Sequence, residues 1–101
     1  MDKNLLILES MVRFLRDRKI EVFVTMLPTD LNYSSHLNEN FSLLKNSISI
    51  LTTQQGVKFI DFTGNEKFSL EDFTIGMVDH LNYNGASKVS KMLDAEVLST
   101  K

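Results

Sequence analysis

The sequence of 101 residues predicts an α/β fold whose elements follow the order α-β-α-β-loop-α. Three segments carry apolar residues at every third or fourth position, which is the spacing of one face of a helix. Two short runs between them are rich in β-branched and aromatic residues, which favour strands. A strand, a crossover helix and a second strand make a βαβ unit, so we expect the two strands to be parallel neighbours in one short sheet.

The first helix should span residues 3 to about 18, with Asp2 as its N-cap. The first strand should occupy residues 20–26, where the run is almost continuously apolar from Val22 onward. Such a run is typical of a strand that is covered on both faces, as in a parallel sheet. Pro28 then ends it, because proline has no backbone N–H to give to a neighbouring strand.

The second helix should run from 36 to 53, with Ser34 or Ser35 as its cap and Gly56 as its stop. Residues 57–61 read as the second strand. A long loop, 62–81, should follow and be held to the core by four apolar side chains. These are Phe62, Phe68, Phe73 and Ile75.

The last helix should run from about 84 to 98, with Asn82 or Asn84 as its N-cap. His80 lies just before it. A histidine placed directly ahead of a capped helix is held by the backbone, and a catalytic base needs such fixity. The alternative for His80 is an ordinary loop histidine without a catalytic role.

Composition excludes several classes of function. Apolar residues make up 43% and charged residues 24% of the chain, as in a soluble globular protein, and the net charge of −2 gives no reason to expect nucleic-acid binding. No apolar run reaches membrane-spanning length, and the N-terminal residues lack a signal-peptide layout. The absence of cysteine rules out disulfides and thiolate metal sites, and leaves the cellular compartment open. We expect no metal and no cofactor, since Asp72, Asp79 and His80 lack the spacing of a metal site.

The residues His80-Leu-Asn-Tyr-Asn-Gly85-Ala resemble the last sequence block of the SGNH/GDSL hydrolase superfamily. The branch that they resemble most contains acetylesterases and acyltransferase-linked proteins, with the block Asp-x-x-His-Leu-Asn-x-x-Gly-Ala. The resemblance implies a partial three-layer α/β/α, flavodoxin-like fold and an activity on carbohydrate O-acyl esters. It also implies that His80 is the general base and that Asn82 is the helix cap that positions it.

Two parts of the family's machinery are missing. Met77 stands where the family has the aspartate that orients the histidine, so Asp79 or Asp72 would have to substitute for it. The Gly-Asp-Ser block that carries the nucleophile is absent from all 101 residues. We therefore interpret residues 1–101 as a single domain that resembles the C-terminal part of such a hydrolase and is inactive alone.

Two other functions are open at this stage. Two strands leave bare sheet edges, so the chain could be a non-catalytic α/β interaction module. For either function we expect a homo-oligomer, or pairing with a missing N-terminal half. Asp61, at the end of a parallel strand, could be a phosphoacceptor, but an aspartate that caps its own loop is the simpler interpretation.

Overall fold

The computed structural model describes residues 3–29, 39–75 and 77–100. All three predicted helices and both predicted strands are present, and the two strands pair as a short parallel sheet. A small antiparallel pair of strands adds to them, so the fold is mixed α/β. The elements are α1 (Lys3–Asp17), β1 (Phe23–Met26), α2 (Glu39–Gln55), β2 (Lys58–Asp61), a 3-10 helix (Leu70–Asp72), β3 (Phe73–Thr74), β4 (Met77–Leu81) and α3 (Tyr83–Thr100).

The chain forms two compact units. The interpretation of residues 1–101 as a single domain stays a prediction. The first unit consists of Met1–Thr25 and Leu37–Ile60. In it α1 packs against α2. Its buried apolar side chains are Val12, Ile48, Leu51 and Ile60. The apolar periodicity of the two helices predicts their buried faces only in part: Val12, Ile48 and Leu51 are buried, whereas Met11 and Leu44, which belong to the same periodic sets, are 57% and 41% exposed.

The end of α2 is tied to the end of α1. Gly56 has a φ of +69°, and the Val57 N–H donates to the Thr52 carbonyl at 2.9 Å, so the helix stops where the sequence predicts it to stop. The Arg16 guanidinium donates to the carbonyl of Gln55, the last residue of α2. The predicted caps at Asp2 and at Ser34 or Ser35 lie outside the described residues.

The second unit consists of Met26–His36 and Asp61–Lys101. Its buried apolar side chains are Phe62, Phe68, Phe73 and Val89. Three of the four predicted loop anchors are therefore confirmed. The fourth, Ile75, is wrong, because its side chain is 99% exposed. Ile75 follows directly after Thr74, which pairs with Met77, so Ile75 belongs to the tip of a hairpin and not to the core.

Residues 62–81 are not one long loop. The 3-10 helix interrupts the segment, and β3 and β4 pair antiparallel, with Phe73 opposite Leu81 and an irregularity in register before Thr74. Thr74 pairs with Met77, which is three positions later in the chain, so the connection between β3 and β4 is short. Phe73, Thr74 and Val78 have the branched or aromatic side chains that favour strands. His80 therefore lies in a strand.

Candidate functional site

The candidate site lies where β4 passes into α3. His80 is the fourth residue of β4, and its side chain is exposed to solvent. Leu81 follows and pairs with the buried Phe73, and Asn82 is the single residue between the strand and the helix. The backbone of His80 is therefore fixed on one side by a strand pair and on the other by a helix start, while its imidazole is accessible from outside.

Asn82 is the residue that holds this junction together. Its Oδ1 accepts a hydrogen bond from the Gly85 N–H at 2.9 Å, which satisfies one of the donors left open in the first turn of α3. Its Nδ2 donates to the carbonyls of Glu71 at 2.7 Å and Phe73 at 3.2 Å. Its backbone N–H donates to the carbonyl of Asp72 at 2.9 Å. One asparagine thus caps α3 and binds three successive carbonyls of the segment before the hairpin.

Gly85 allows that segment to come close to the helix. A Cβ at this position would overlap the Asp72 carbonyl oxygen and would lie 2.8 Å from Leu81 Cδ2. The Asp72 carbonyl belongs to the backbone and cannot move away without displacing the segment. The spacing of Asn82 and Gly85 therefore has a local cause: the asparagine bonds the glycine N–H three residues on, and the glycine leaves room for the Asp72 carbonyl.

Asp72 adds a charged contact to the same junction. Its side chain is 5% exposed, and its Oδ2 accepts from Lys88 Nζ at 2.7 Å and from the Ser69 N–H at 2.9 Å. The hydrogen bond from Lys88, aided by the Ser69 N–H and the lysine charge, holds the pKa of Asp72 below its ordinary value of 3.8, although burial opposes this. Asp72 is thus an ionised, internally paired carboxylate.

Lys88 was not foreseen from the sequence as part of the site. Its Nζ also donates to the Lys67 carbonyl at 2.8 Å and lies 5.4 Å from the centre of the buried Phe68 ring. Lys88 and Asp72 are sixteen residues apart, and no local pattern joins them. The sequence does indicate the contact between Asp72 and the Ser69 N–H. Ser69-Leu-Glu-Asp72 has the spacing of a capping box, in which an acid accepts a hydrogen bond from the N-cap N–H.

The predicted catalytic residues are placed as follows. His80 is exposed in β4, and Asp72 is buried and bound by Lys88 and Ser69. The side chains of Met77 and Asp79 lie outside the described residues. Which acid, Asp79 or Asp72, would orient the His80 imidazole stays a prediction. The contacts of Asp72 show that its negative charge is already balanced by a lysine.

Asp61 caps its own loop. Its Oδ1 accepts hydrogen bonds from the backbone N–H of Thr63 at 2.9 Å and from the Thr63 hydroxyl. This is the usual way in which an aspartate starts a turn after a strand. The contact supports the simpler interpretation of Asp61 over a phosphoacceptor role.

Within the described ranges, no three histidine, aspartate or glutamate side chains form a group that could hold a metal ion. Of the helices in the described part of the chain, none has the length and apolar character needed to cross a membrane. Comparisons with models of protein families, with curated proteins and with solved structures find no match to this chain.

Replacing the cap at Asn82 tests the geometry of the junction. Asn82→Ala should lower the free energy of unfolding by about 1–2 kcal/mol, because it leaves the Gly85 N–H and two carbonyls without their partner. Asn84→Ala is the matched control, since Asn84 is exposed in the first turn of the same helix and should change stability by less than about 0.5 kcal/mol. Urea denaturation measures both. Equal losses in the two variants would contradict the assignment of the cap.

The ion pair should give stability a defined pH dependence. Because the pKa of Asp72 is lowered in the folded state, its contribution should be complete above the ordinary value of 3.8 and lost as the pH falls through the lower folded value. Asp72→Asn should therefore cost about 1–3 kcal/mol at neutral pH, and this difference from the native chain should shrink below 3.8.

The measurement is urea denaturation from neutral to acid pH. Asp94→Asn, at an exposed position of α3, controls for the loss of one negative charge. A cost of Asp72→Asn that stays constant down to the lowest pH would contradict the role given to the ion pair.

Proposed function

We propose that this chain is the C-terminal part of an SGNH/GDSL-type esterase or acyl-transfer fold that acts on carbohydrate O-acyl esters, with His80 in the position of the general base. The observation that carries the proposal is the junction around His80. Asn82 and Gly85, two residues of the block that resembles the family, make the contacts that hold the junction together. His80, the histidine of the block, is exposed just beside them.

This arrangement suits general-base catalysis. A base must be held in place and must also be reachable by the group that it deprotonates. The strand pair and the capped helix supply the first condition, and the exposure of His80 supplies the second. In a serine esterase, the imidazole takes the proton of the serine hydroxyl as the oxygen attacks the ester carbonyl. It then gives that proton to the departing alcohol.

The chain itself lacks the nucleophile block, so a serine would have to come from another polypeptide segment. We therefore propose as well that the chain alone is inactive as an esterase. The finer fold is also part of the proposal: β1, α2 and β2 would be one βαβ unit of a three-layer, flavodoxin-like domain. The parallel pairing of β1 with β2 supports this.

A second candidate function is a non-catalytic interaction module that self-associates, or pairs with another chain, through a sheet edge. The observation in its favour is the size of the parallel sheet, which has two strands of four residues each within the described ranges. So small a sheet gains stability when a further strand adds to its edge. Such a module would keep its partner in a His80→Ala variant, whereas an esterase would lose its activity.

Labelling with a fluorophosphonate probe tests the proposal. In a chimera, the upstream half of a characterised SGNH acetylesterase, with its Gly-Asp-Ser block, would precede residues 1–101 carrying Met77→Asp. Intact mass should show one adduct on the donor serine. Labelling should slow by at least about 10³-fold when His80→Ala is added, because the serine loses its base. His36→Ala, which changes the only other histidine, is the control and should label normally.

Two results would contradict the proposal. A chimera that folds, as judged by circular dichroism and gel filtration, and yet fails to label would remove His80 from the role of base. An adduct on the purified 101-residue chain that disappears in His80→Ala would show an active serine within the chain, so the claim of inactivity would be wrong.

A further inference from the structure

Helix α1 is apolar on two faces. Its inner face carries Leu5, Leu8, Val12 and Leu15, and Val12 is 2% exposed. This face has the spacing of a helix that packs on one neighbour, and α1 packs against α2. A helix that packs on a domain with a single face should be polar on its other faces. Here a second set of large apolar side chains lies on another face of the helix.

The outer face of α1 consists of Leu6, Ile7, Ser10, Met11 and Phe14. Its four large side chains are half exposed, at 50%, 49%, 57% and 54% for Leu6, Ile7, Met11 and Phe14. They line a shallow groove together with Lys3, Ser10 and Leu15. The Ser10 hydroxyl donates to the Leu6 carbonyl at 2.9 Å, so this polar side chain is satisfied within its own helix. The bottom of the groove is therefore apolar.

The area of this face fits a second copy of the chain. Half-exposed side chains of this size each present on the order of 100 Å², so the four present about 400 Å² of apolar surface on one helix. That is as large as the largest apolar patch on a typical monomer, which is often an interaction site. Counted on two copies, the apolar patch supplies about 800 Å², and the polar rim would supply the remaining third of the roughly 1,200 Å² that a specific dimer needs.

The spacing on the outer face suits a symmetric helix pair. Ile7, Met11 and Phe14 are separated by four and three residues, as in the seam of two paired helices. If two copies of α1 cross antiparallel near Met11, Ile7 of one helix meets Phe14 of the other, and Met11 lies beside its own copy. A twofold axis through the middle of the helix thus matches the face to itself, as an isologous dimer requires.

Charge favours the antiparallel direction. Arg18 and Lys19 follow the last turn of α1 and are exposed. A parallel pair would bring these cations beside their copies, whereas an antiparallel pair separates them by the length of the helix, about 22 Å. The antiparallel direction also opposes the two helix dipoles, which favours it. Arg18 stacks on one side of the Phe14 ring at 3.5 Å from its centre, and so leaves the other side for a partner.

From these observations we infer that the outer face of α1 is a homodimer interface, in which two copies of the chain pair antiparallel through Ile7, Met11 and Phe14. Every residue of this interface lies in the first unit, and His80, Asn82 and Asp72 lie in the second.

Sedimentation velocity between about 1 and 200 µM tests the inference, since interfaces at the lower limit of size include weak, transient complexes. The native chain should change from monomer to dimer over this range. Met11→Glu should weaken the dimer by at least tenfold, because it places two carboxylates at the twofold axis. Leu98→Glu is the matched control: Leu98 is 62% exposed on α3, and its replacement should leave the dimer unchanged.

Cysteine cross-linking tests the direction, and the chain has no cysteine of its own. Met11→Cys should form a disulfide-linked dimer under mild oxidation. Ile7→Cys should not, because antiparallel copies of residue 7 are about 10 Å apart along the axis, beyond the reach of a disulfide. Leu98→Cys measures cross-linking by random collision.

Three results would overturn the inference. A native chain that is monomeric up to the highest concentration would mean that this face is covered by something other than a second copy. A dimer that persists in Met11→Glu would assign the contact to another surface, such as the sheet edge. Cross-linking of Ile7→Cys as efficient as that of Met11→Cys would show a parallel pair and contradict the geometry.

Discussion

The junction between β4 and α3 depends on the position of one residue, Asp72, which is hydrogen-bonded through both its side chain and its backbone. Its carboxylate is bound by Lys88 and the Ser69 N–H, and its carbonyl accepts the Asn82 N–H. The same carbonyl occupies the space that a side chain on residue 85 would need. Buried polar groups are costly unless they are bonded, so this many contacts on one aspartate stabilise a single arrangement of the segment. The position of His80 follows from that arrangement.

The three large helices and the two parallel strands could be predicted because each is specified by its own sequence. Periodicity indicates the helices α1 and α2, and Gly56 marks the end of α2 through its positive φ. The cap at Asn82 was one of two alternatives, Asn82 or Asn84. The choice between them depends on Glu71 and Phe73, whose carbonyls bind the Asn82 amide across the junction.

The segment from Phe62 to Leu81 was harder to predict, because its structure depends on distant partners. Its apolar residues, Phe62, Phe68 and Phe73, predict a loop that packs on the core, and all three are buried. The sequence does not predict the hairpin, because β3 is only two residues long. The Lys88–Asp72 pair joins positions sixteen residues apart, and apolar patterns say nothing about such a pair. The outer face of α1 could not be predicted for a related reason. The periodicity that predicts a helix does not distinguish a helix with one apolar face from a helix with two.

The central claim is that the Asp72 segment and the start of α3 form one cooperative unit that fixes His80. Native-state hydrogen exchange of the Ser69, Asn82 and Gly85 amides tests this most directly, because each donates one of the bonds of the junction. In one cooperative unit, the three amides should open with free energies equal within about 0.5 kcal/mol, and Asp72→Asn should lower all three together. If Asp72→Asn lowered only the protection of Ser69 and left Gly85 unchanged, the junction would not be a single unit, and the account of how His80 is positioned would be wrong.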